Sequence, residues 1–244
     1  MNKKIIIGNW KCNPLTLNEA LKIFSKIKTE AEISKTEAVI CPPNIFLKDL
    51  IAEKSKIKIG AQDCFYEDKG PFTGEVSAAM LKKIGCQYVI IGHSETRKIN
   101  QETDKDINKK IIAALKNKLI PIFCYGENRE EHIKKLTFQV LKKQIEEGID
   151  NISPADLSKI IFAYEPIWSI GTGNFADPYE INETKQFIIN LLSKKAKGSF
   201  KIVYGGSVNS NNASKYFSIS GMDGLLIGAA SLNPNEFLKI IKSV

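Results

Sequence analysis

The sequence is poor in arginine, and this scarcity argues against a nucleic acid as its partner. Only Arg97 and Arg129 are arginines among 35 basic residues, so lysine supplies nearly all of the positive charge. Nucleic-acid surfaces favour arginine for bidentate contacts and cluster it on one face. The net charge of +8 therefore fits an anionic small-molecule substrate better than a nucleic acid.

The sequence also lacks a long hydrophobic run. No apolar stretch approaches the ~18 residues that a membrane-spanning helix needs. Residues 1–4 include two lysines, but only three isoleucines follow before Gly8, which is shorter than the ~7–15 residue apolar core of a signal peptide. We therefore expect a cytoplasmic protein without a membrane segment.

Ligands for a metal are scarce as well. The five cysteines are odd in number and widely spaced, no Cys-x-x-Cys motif occurs, and His93 and His132 are the only histidines. This pattern argues against a disulfide framework and against a zinc site. We expect the cysteines to be buried free thiols; they are Cys12, Cys41, Cys64, Cys86 and Cys124.

Short apolar runs alternate with amphipathic stretches along the whole chain. Most of the runs are rich in isoleucine and valine, which suits strands that are buried on both faces. Apolar residues recur at helical spacing in the stretches between them. The predicted strands are 4–9, 38–41, 57–61, 88–92, 120–124, 160–164, 202–204 and 225–227. The predicted helices are 17–27, 104–115, 130–147, 181–192 and 234–241, the last with Asn233 as its N-cap.

This alternation is typical of βαβ units with a parallel sheet. Eight units in a chain of 244 residues predict an α/β fold of the closed (β/α)8 barrel type. A doubly wound open sheet is the structural alternative. No linker or composition break divides the chain, so we interpret residues 1–244 as a single domain.

In a barrel of this type, chemistry occurs at the carboxyl ends of the strands. Polar, titratable and glycine-rich residues follow the predicted strands at that rim. They are Asn9, Lys11, Gln62, Asp63, His93, Glu127, Glu165, Gly205-Gly206-Ser207 and Gly228-Ala229.

Glu165 and His93 are the best candidates for acid–base chemistry. A carboxylate directly after an apolar strand is partly desolvated, which suits a base. His93 precedes Ser94-Glu95, and a helix starting there would disfavour the imidazolium form and leave a neutral hydrogen-bond donor. His132 lies in a charged helical stretch, and we interpret it as a solvated side chain.

Three small-residue turns could bind phosphate through backbone N–H groups. The turns after strands seven and eight contain Gly205-Gly206-Ser207 and Gly228-Ala229, where barrels commonly bind phosphate. The third, at residues 171–173, resembles a dinucleotide-binding motif together with the residues that follow it. However, six residues separate it from the preceding strand, and the expected downstream acid is absent.

The rim residues, taken with their neighbours, resemble the triosephosphate isomerase family over the whole chain. The order and spacing of the motifs, and not any single motif, carry the resemblance. The motifs are Gly8-Asn9-Trp10-Lys11, Ala61-Gln62, Phe72-Thr73-Gly74-Glu75, Gly92-His93-Ser94-Glu95, Tyr164-Glu165-Pro166-Ile167-Trp168, Ile170-Gly171-Thr172-Gly173, Tyr204-Gly205-Gly206-Ser207 and Ala230-Ser231-Leu232.

The resemblance implies a single TIM barrel that interconverts dihydroxyacetone phosphate and D-glyceraldehyde 3-phosphate, in glycolysis and gluconeogenesis. It implies that Glu165 is the proton acceptor and that neutral His93 is the electrophile, a pairing that is established for this family. It further implies that Lys11 and Asn9 stabilise negative charge and that Glu95 orients Lys11. No metal or organic cofactor is implied, because the substrate's own carbonyl acidifies the proton.

The resemblance also implies a lid, a phosphate site and a homodimer. The lid corresponds to residues 166–176, and Thr73 of one subunit would brace Asn9 and Lys11 of the other. Phe65, Tyr66 and Phe72 lie on the same loop as Thr73, and we expect a monomer to expose them. The lid residues are Pro166, Trp168, Ile170, Gly171, Thr172, Gly173 and Ala176, and the phosphate ligands are Asn9, Lys11, Gly171, Ser207, Gly228 and Ala229.

The chain departs from the family pattern at several positions and leaves two other functions open. Where the family commonly has Asn, Arg, Ala and Gly, this chain has Asp63, Thr96, Ser169 and Ala229, and residues 174–175 differ as well. One alternative is another phosphate-binding barrel enzyme, such as an aldolase or a sugar-phosphate isomerase. The other is a non-catalytic binding protein on the same scaffold.

Overall fold

All eight predicted strands form, and they close into one parallel barrel in the order of the sequence. The computed structural model describes residues 3–31, 36–171 and 173–243. The open doubly wound alternative is therefore wrong, because the last strand pairs with the first. The strands are Ile5–Asn9 (β1), Glu37–Cys41 (β2), Lys58–Ala61 (β3), Tyr88–Ile91 (β4), Ile120–Tyr125 (β5), Ile161–Tyr164 (β6), Lys201–Tyr204 (β7) and Gly224–Ile227 (β8).

The strands are hydrophobic at successive positions because both of their faces are buried. Ile5 and Ile7 of β1 belong to a cluster inside the barrel, whereas Ile6 packs in a second cluster between the strands and the helices. This period of two follows from the alternating direction of side chains in a strand. The barrel is thus filled by side chains.

Helices follow the strands and form the outer layer. The predicted helices at 17–27, 104–115, 181–192 and 234–241 are confirmed with small shifts of their ends. Asn233 caps the last helix through its side-chain oxygen, which accepts hydrogen bonds from the N–H groups of Asn235 and Glu236. The α-helices in the described residues are Leu17–Ala31 (α1), Leu47–Ala52 (α2), Ala78–Ile84 (α3), Ser94–Ile99 (α4), Asp104–Lys116 (α5), Arg129–Ile133 (α6), Thr137–Gly148 (α7), Pro154–Leu157 (α8), Pro178–Ser193 (α9), Ala213–Phe217 (α10) and Pro234–Lys242 (α11), with 3-10 turns at Asn44–Phe46, Ile167–Ser169 and Ala229–Leu232.

The prediction of one long helix over residues 130–147 is wrong. The chain instead forms α6 and α7, and Lys135 between them has a left-handed φ of 57°. The N–H of Leu136 donates to the carbonyl of Glu131, and the N–H of Lys135 donates to that of His132. These two bonds form the usual left-handed helix stop. The stop was not predicted because a lysine occupies the position where glycine is common.

The expectation for the cysteines holds for four of the five. All five are free thiols, but Cys12 is exposed because it lies in the turn that follows β1. In the described residues no group of three His, Cys, Asp or Glu side chains could hold a metal ion. No helix in the same part of the chain is long and apolar enough to cross a membrane.

Two carboxylates share one buried lysine just behind the end of β3. The ammonium of Lys110 on α5 lies 2.7 Å from Asp63 Oδ2 and also binds Glu102. Burial raises the pKa of Asp63 to about 6; the positive charge of Lys110 opposes this shift, and the negative charge of Glu102 adds to it. Asp63 thus has a higher proton affinity in the folded chain than in the unfolded chain.

Between about pH 4 and 6, Asp63 binds more protons in the folded state than in the unfolded state. We therefore expect its contribution to the free energy of unfolding to fall as pH rises through this range. Asn is a neutral mimic of the protonated Asp63 side chain. We expect the melting temperature of Asp63→Asn, relative to the wild type, to increase over that range and to stay constant above it. Thermal unfolding at a series of pH values measures this difference.

Asp106 supplies a control of opposite sign. The pKa of Asp106 is lowered, chiefly by a hydrogen bond from the Thr103 side chain. Asp106→Asn should therefore lose stability relative to the wild type as pH rises through the range in which an unfolded Asp ionises, about pH 4. A difference between Asp63→Asn and the wild type that does not vary with pH would contradict the account of Asp63.

Candidate active site

The carboxyl ends of the strands surround a cavity of about 190 Å³. Most of the rim residues that the sequence singled out line it, together with several apolar side chains that the sequence did not indicate. Asn9, Lys11, His93, Glu165, Gly171, Ser207, Gly228 and Ala229 were predicted, and Val208, Leu226 and Leu232 were not.

Glu165 lies at the end of β6 and is only 2% exposed. Its backbone N–H donates to the carbonyl of Tyr125 on β5, so the barrel ladder continues through it. Two glycines make room for it. A Cβ on Gly126 would lie 1.7 Å from the Glu165 carbonyl oxygen, and one on Gly205 would lie 3.0 Å from its Cγ.

The Glu165 carboxylate is held between two groups from the β4 end. Its Oε1 lies 3.2 Å from His93 Nε2, and its Oε2 accepts a 3.2 Å hydrogen bond from the N–H of Ser94. Behind it, burial raises the pKa of the Cys124 thiol, and the Glu165 charge adds to this effect. The thiol therefore stays protonated beside the carboxylate.

His93 is the N-cap of α4, as its sequence context suggested. The N–H of Glu95 donates to His93 Nδ1 at 3.2 Å. A ring nitrogen that accepts a hydrogen bond carries no proton, so the proton of the neutral ring is on Nε2, which faces Glu165. The helix N-terminus thus fixes the tautomer of His93.

Lys11 has a left-handed backbone with a φ of 54°, which turns its side chain over the rim. Its N–H donates to Asn9 Oδ1 at 3.0 Å, and Gln62 Nε2 donates to its carbonyl oxygen at 2.8 Å. Its ammonium lies 2.6 Å from Glu95 Oε1. Lys11 is therefore held at both its backbone and its side chain, and Gln62 supports it without lining the cavity.

Small residues line the cavity on the side of β7 and β8. Gly228 precedes the 3-10 turn Ala229–Leu232, and a Cβ on it would lie 3.6 Å from Lys11 Cε. Ala229 is exposed, so the turn accommodates its methyl group. Backbone N–H groups at the start of such a turn are suited to an anion.

The segment 166–176 contributes Ile170 and Gly171 to the lining of the cavity, and its described residues are held at both ends. At the first end, the N–H of Ile167 donates to the carbonyl of Glu127 at 3.0 Å. At the second end, the Tyr216 hydroxyl donates to the carbonyl of Ala176, which is buried. Gly171 and Gly173 have left-handed φ values of 70° and 74° and are exposed, whereas Thr172 lies outside the described residues.

Glu127 does not reach the cavity, although it follows β5 at the same rim. It is fully buried and accepts hydrogen bonds from Trp168 Nε1 at 2.8 Å and from the Tyr164 hydroxyl. The prediction that His132 is solvated is wrong, because its ring stacks on the Trp168 ring at 4.3 Å between centroids. The early end of α6 brings His132 to this position.

Asp63 and Thr73 also lie away from the cavity. Asp63 belongs to the Lys110 cluster, and Thr73 lies in a stretch, 69–75, in which every residue is exposed. The expected exposure of Phe65 and Tyr66 is wrong, since their rings stack on each other at 4.4 Å and are half-buried. Only Phe72 of these three aromatic residues is exposed.

Two residues near the site were not assigned from the sequence. Arg97 donates to the carbonyls of Gly92 and Cys124 and pairs with Asp104 at 2.6 Å, which ties β4 to β5 at their ends. Thr96, which stands where the family commonly has arginine, donates its hydroxyl to the His93 carbonyl. The rarity of arginine in this chain could have drawn attention to Arg97.

The comparisons with known proteins agree with this geometry. The family model described as triosephosphate isomerase matches residues 4–244. A protein named triosephosphate isomerase from Alkaliphilus metalliredigens is 43% identical over 99% of each chain, and one from Aquifex aeolicus is 41% identical over 99% of each. The crystal structure of triosephosphate isomerase from Bartonella henselae covers 99% of both chains with a TM-score of 0.89 and 34% identity.

We expect the ring of His93 to have its proton on Nε2 in solution. NMR of isotopically labelled ring nitrogens should show a bare Nδ1 and a protonated Nε2 near neutral pH. Because the chain has two histidines, spectra of His132→Gln assign the signals. A His93 proton on Nδ1 would contradict the hydrogen bond from Glu95.

Proposed function

Since the chain belongs to the triosephosphate isomerase family, it is an isomerase that interconverts dihydroxyacetone phosphate and D-glyceraldehyde 3-phosphate, and we propose how its own residues perform this reaction. The reaction moves one proton between neighbouring carbons through an enediolate. The observation that carries the proposal is the buried Glu165 carboxylate, 3.2 Å from His93 Nε2. A coupled isomerase assay on dihydroxyacetone phosphate, with Glu165→Ala as control, tests it.

Glu165 acts as the carbon base. Its carboxylate leaves the N–H of Ser94 and takes a proton from the substrate carbon beside the carbonyl. The electron pair of that C–H bond forms the carbon–carbon double bond, and the carbonyl oxygen becomes an enediolate oxygen. Glu165 then returns the proton to the neighbouring carbon, which completes the isomerisation.

His93 acts as the electrophile. Its Nε2–H donates a hydrogen bond to the substrate oxygen on which negative charge develops, and it moves protons between the two enediolate oxygens. A neutral imidazole suits this role, because the Glu95 N–H occupies Nδ1. Neither step needs a metal or an organic cofactor, since the substrate carbonyl acidifies the proton.

Lys11 and Asn9 stabilise the negative charge of the enediolate and of the phosphate. The ion pair between Lys11 and Glu95 orients the ammonium, which is supported by their 2.6 Å distance. Gly171, Ser207, Gly228 and Ala229 bind the phosphate through backbone N–H groups.

Residues 166–176 act as a lid, with Gly171 at its exposed centre. Closure excludes water from the enediolate and brings the N–H of Gly171 to the phosphate, as loop closure does in this family. The hydrogen bonds at both ends of the segment support this role. The aldolase alternative is not favoured, because relatives named as triosephosphate isomerases align over nearly the whole chain.

We further propose a cytoplasmic homodimer in which residues 1–244 form one domain. Apolar side chains are exposed after each of the four neighbouring strands β1–β4, which gives a patch on one half of the rim. Such patches mark interfaces more often than free surface. The patch consists of Leu15, Ile45, Phe72 and Ile99, at 87%, 75%, 38% and 76% exposed.

The carbon base predicts a large effect of Glu165→Asp. The substitution withdraws the carboxylate by one methylene, and a misplacement of ~1 Å can lower turnover about 10²-fold. We expect at least that loss with an unchanged fold, measured by steady-state kinetics and circular dichroism. Glu19→Asp on exposed α1 is the matched control. Near-normal turnover of Glu165→Asp would reject Glu165 as the base.

Lys11→Met should abolish activity with little change in melting temperature. The ammonium is at the rim and stabilises charge on the substrate, whereas its side chain contributes little to packing. Lys22→Met removes an exposed lysine of α1 and should leave turnover unchanged. An active Lys11→Met enzyme that binds substrate tightly would contradict this role.

The dimer predicts that Thr73→Arg lowers activity in proportion to the loss of dimer. No residue of the subunit's own cavity changes, so the effect reaches the site through the partner. Sedimentation at micromolar concentration measures the fraction of dimer, and the isomerase assay measures the activity of the same samples. Thr29→Arg on α1 is the matched control. A fully active wild-type monomer would refute the proposal.

A further inference from the structure

His132 lies outside the cavity but touches the first turn of the proposed lid. It is in the last turn of α6, and its side chain is 35% exposed. Its ring stacks on Trp168 with 4.3 Å between centroids and 28° between planes. Trp168 belongs to the 3-10 turn that starts two residues after Glu165. The chemistry of the cavity therefore does not explain why a histidine occupies position 132.

His132 also approaches the carboxylate that holds Trp168. Its Nδ1 lies 3.6 Å from Glu127 Oε1, the same oxygen that accepts the hydrogen bond from Trp168 Nε1 at 2.8 Å. Glu127 Oε1 further accepts from the Tyr164 hydroxyl at 3.1 Å. Trp168 is therefore held on its face by His132 and on its edge by Glu127.

A proton on His132 would strengthen both of these contacts. An imidazolium attracts the face of an indole ring. It also attracts the Glu127 carboxylate, which is fully buried. Both effects favour the position of Trp168 that the structure shows, so they oppose its displacement when the lid moves.

We propose that His132 is a positioning residue of the lid, which sets how firmly Trp168 is held by stacking on its ring and pairing with Glu127. The inference rests on the proposal that residues 166–176 form the lid. His132 does not touch the substrate, and its effect is expected on the lid step and hence on kcat.

Other charged groups surround His132 and bear on its protonation. Beside Glu127 and Tyr164, the hollow of about 340 Å³ next to its ring is lined by Lys135 of the α6–α7 connection and by Glu180 and Glu183 of α9. Burial raises the pKa of Glu127, and the Trp168 hydrogen bond opposes this shift. A titration must therefore separate His132 from Glu127.

Tryptophan fluorescence reads the contact without any substrate. Protonated imidazole quenches an indole on which it stacks, so the emission of the wild type should fall when the pH is lowered from about 8 to 5. Trp168→Phe identifies the contribution of Trp10, the other tryptophan. His132→Phe keeps the aromatic stack and removes the proton.

The titration step should disappear in His132→Phe and persist in Ile133→Gln, a control at the neighbouring residue, which is 68% exposed. A step that persists in His132→Phe would come from a group other than His132 and would overturn the proposal. The absence of a step in the wild type would overturn it as well. His132→Gln, which lacks an aromatic ring, should also lose the step, so the test does not depend on one variant folding.

Kinetics show whether the contact reaches the lid. We compare kcat of His132→Phe with kcat of the wild type at each pH. The ratio of the two should rise about two- to fivefold as pH falls from about 8 to 5, which corresponds to the free energy of one cation–π contact. KM should be nearly unchanged. A flat ratio would overturn the positioning role even if the fluorescence step were present. An inactive wild type would instead refute the proposed function, which the fluorescence experiment does not use.

Discussion

The Glu165 carboxylate has to be kept charged and almost free of water, and the rest of the site depends on this constraint. A buried charge is costly unless nearby groups compensate it. Here the N–H of Ser94 and the Nε2–H of His93 face its two oxygens. Both donors come from the start of α4, so the position of one helix N-terminus provides the partners of the base and fixes the tautomer of the electrophile.

The closed barrel makes this arrangement possible because it brings all strand ends to one rim. β4, β5 and β6 are neighbours, so His93 and Glu165 face each other across the end of β5. Gly126 and Gly205 leave the space that Glu165 occupies, since a Cβ on either would approach it too closely. The residues that perform the chemistry, His93 and Glu165, are therefore also the residues whose packing and hydrogen bonds the barrel fixes.

The sequence was sufficient for the parts that local patterns determine. Continuous apolar runs rich in isoleucine and valine predicted the eight strands. A residue directly after a strand end has to lie at the rim, which located Asn9, His93 and Glu165. Contacts across the chain could not be predicted in this way. His132 is an example, because its position depends on a helix stop at Lys135 that lacks the usual glycine. The half-buried stack of Phe65 on Tyr66 is another, since composition shows only that the loop is aromatic.

The central claim is that Glu165 moves the proton between the two substrate carbons, and isotope exchange in deuterium oxide tests it most directly. A base that takes a proton from carbon exchanges it with solvent before returning it, so the wild type should place deuterium on the carbon next to the carbonyl. Glu165→Gln keeps the size of the side chain and removes its basicity, so its exchange rate should fall at least ~10²-fold. Exchange by Glu165→Gln at the rate of the wild type would contradict the account.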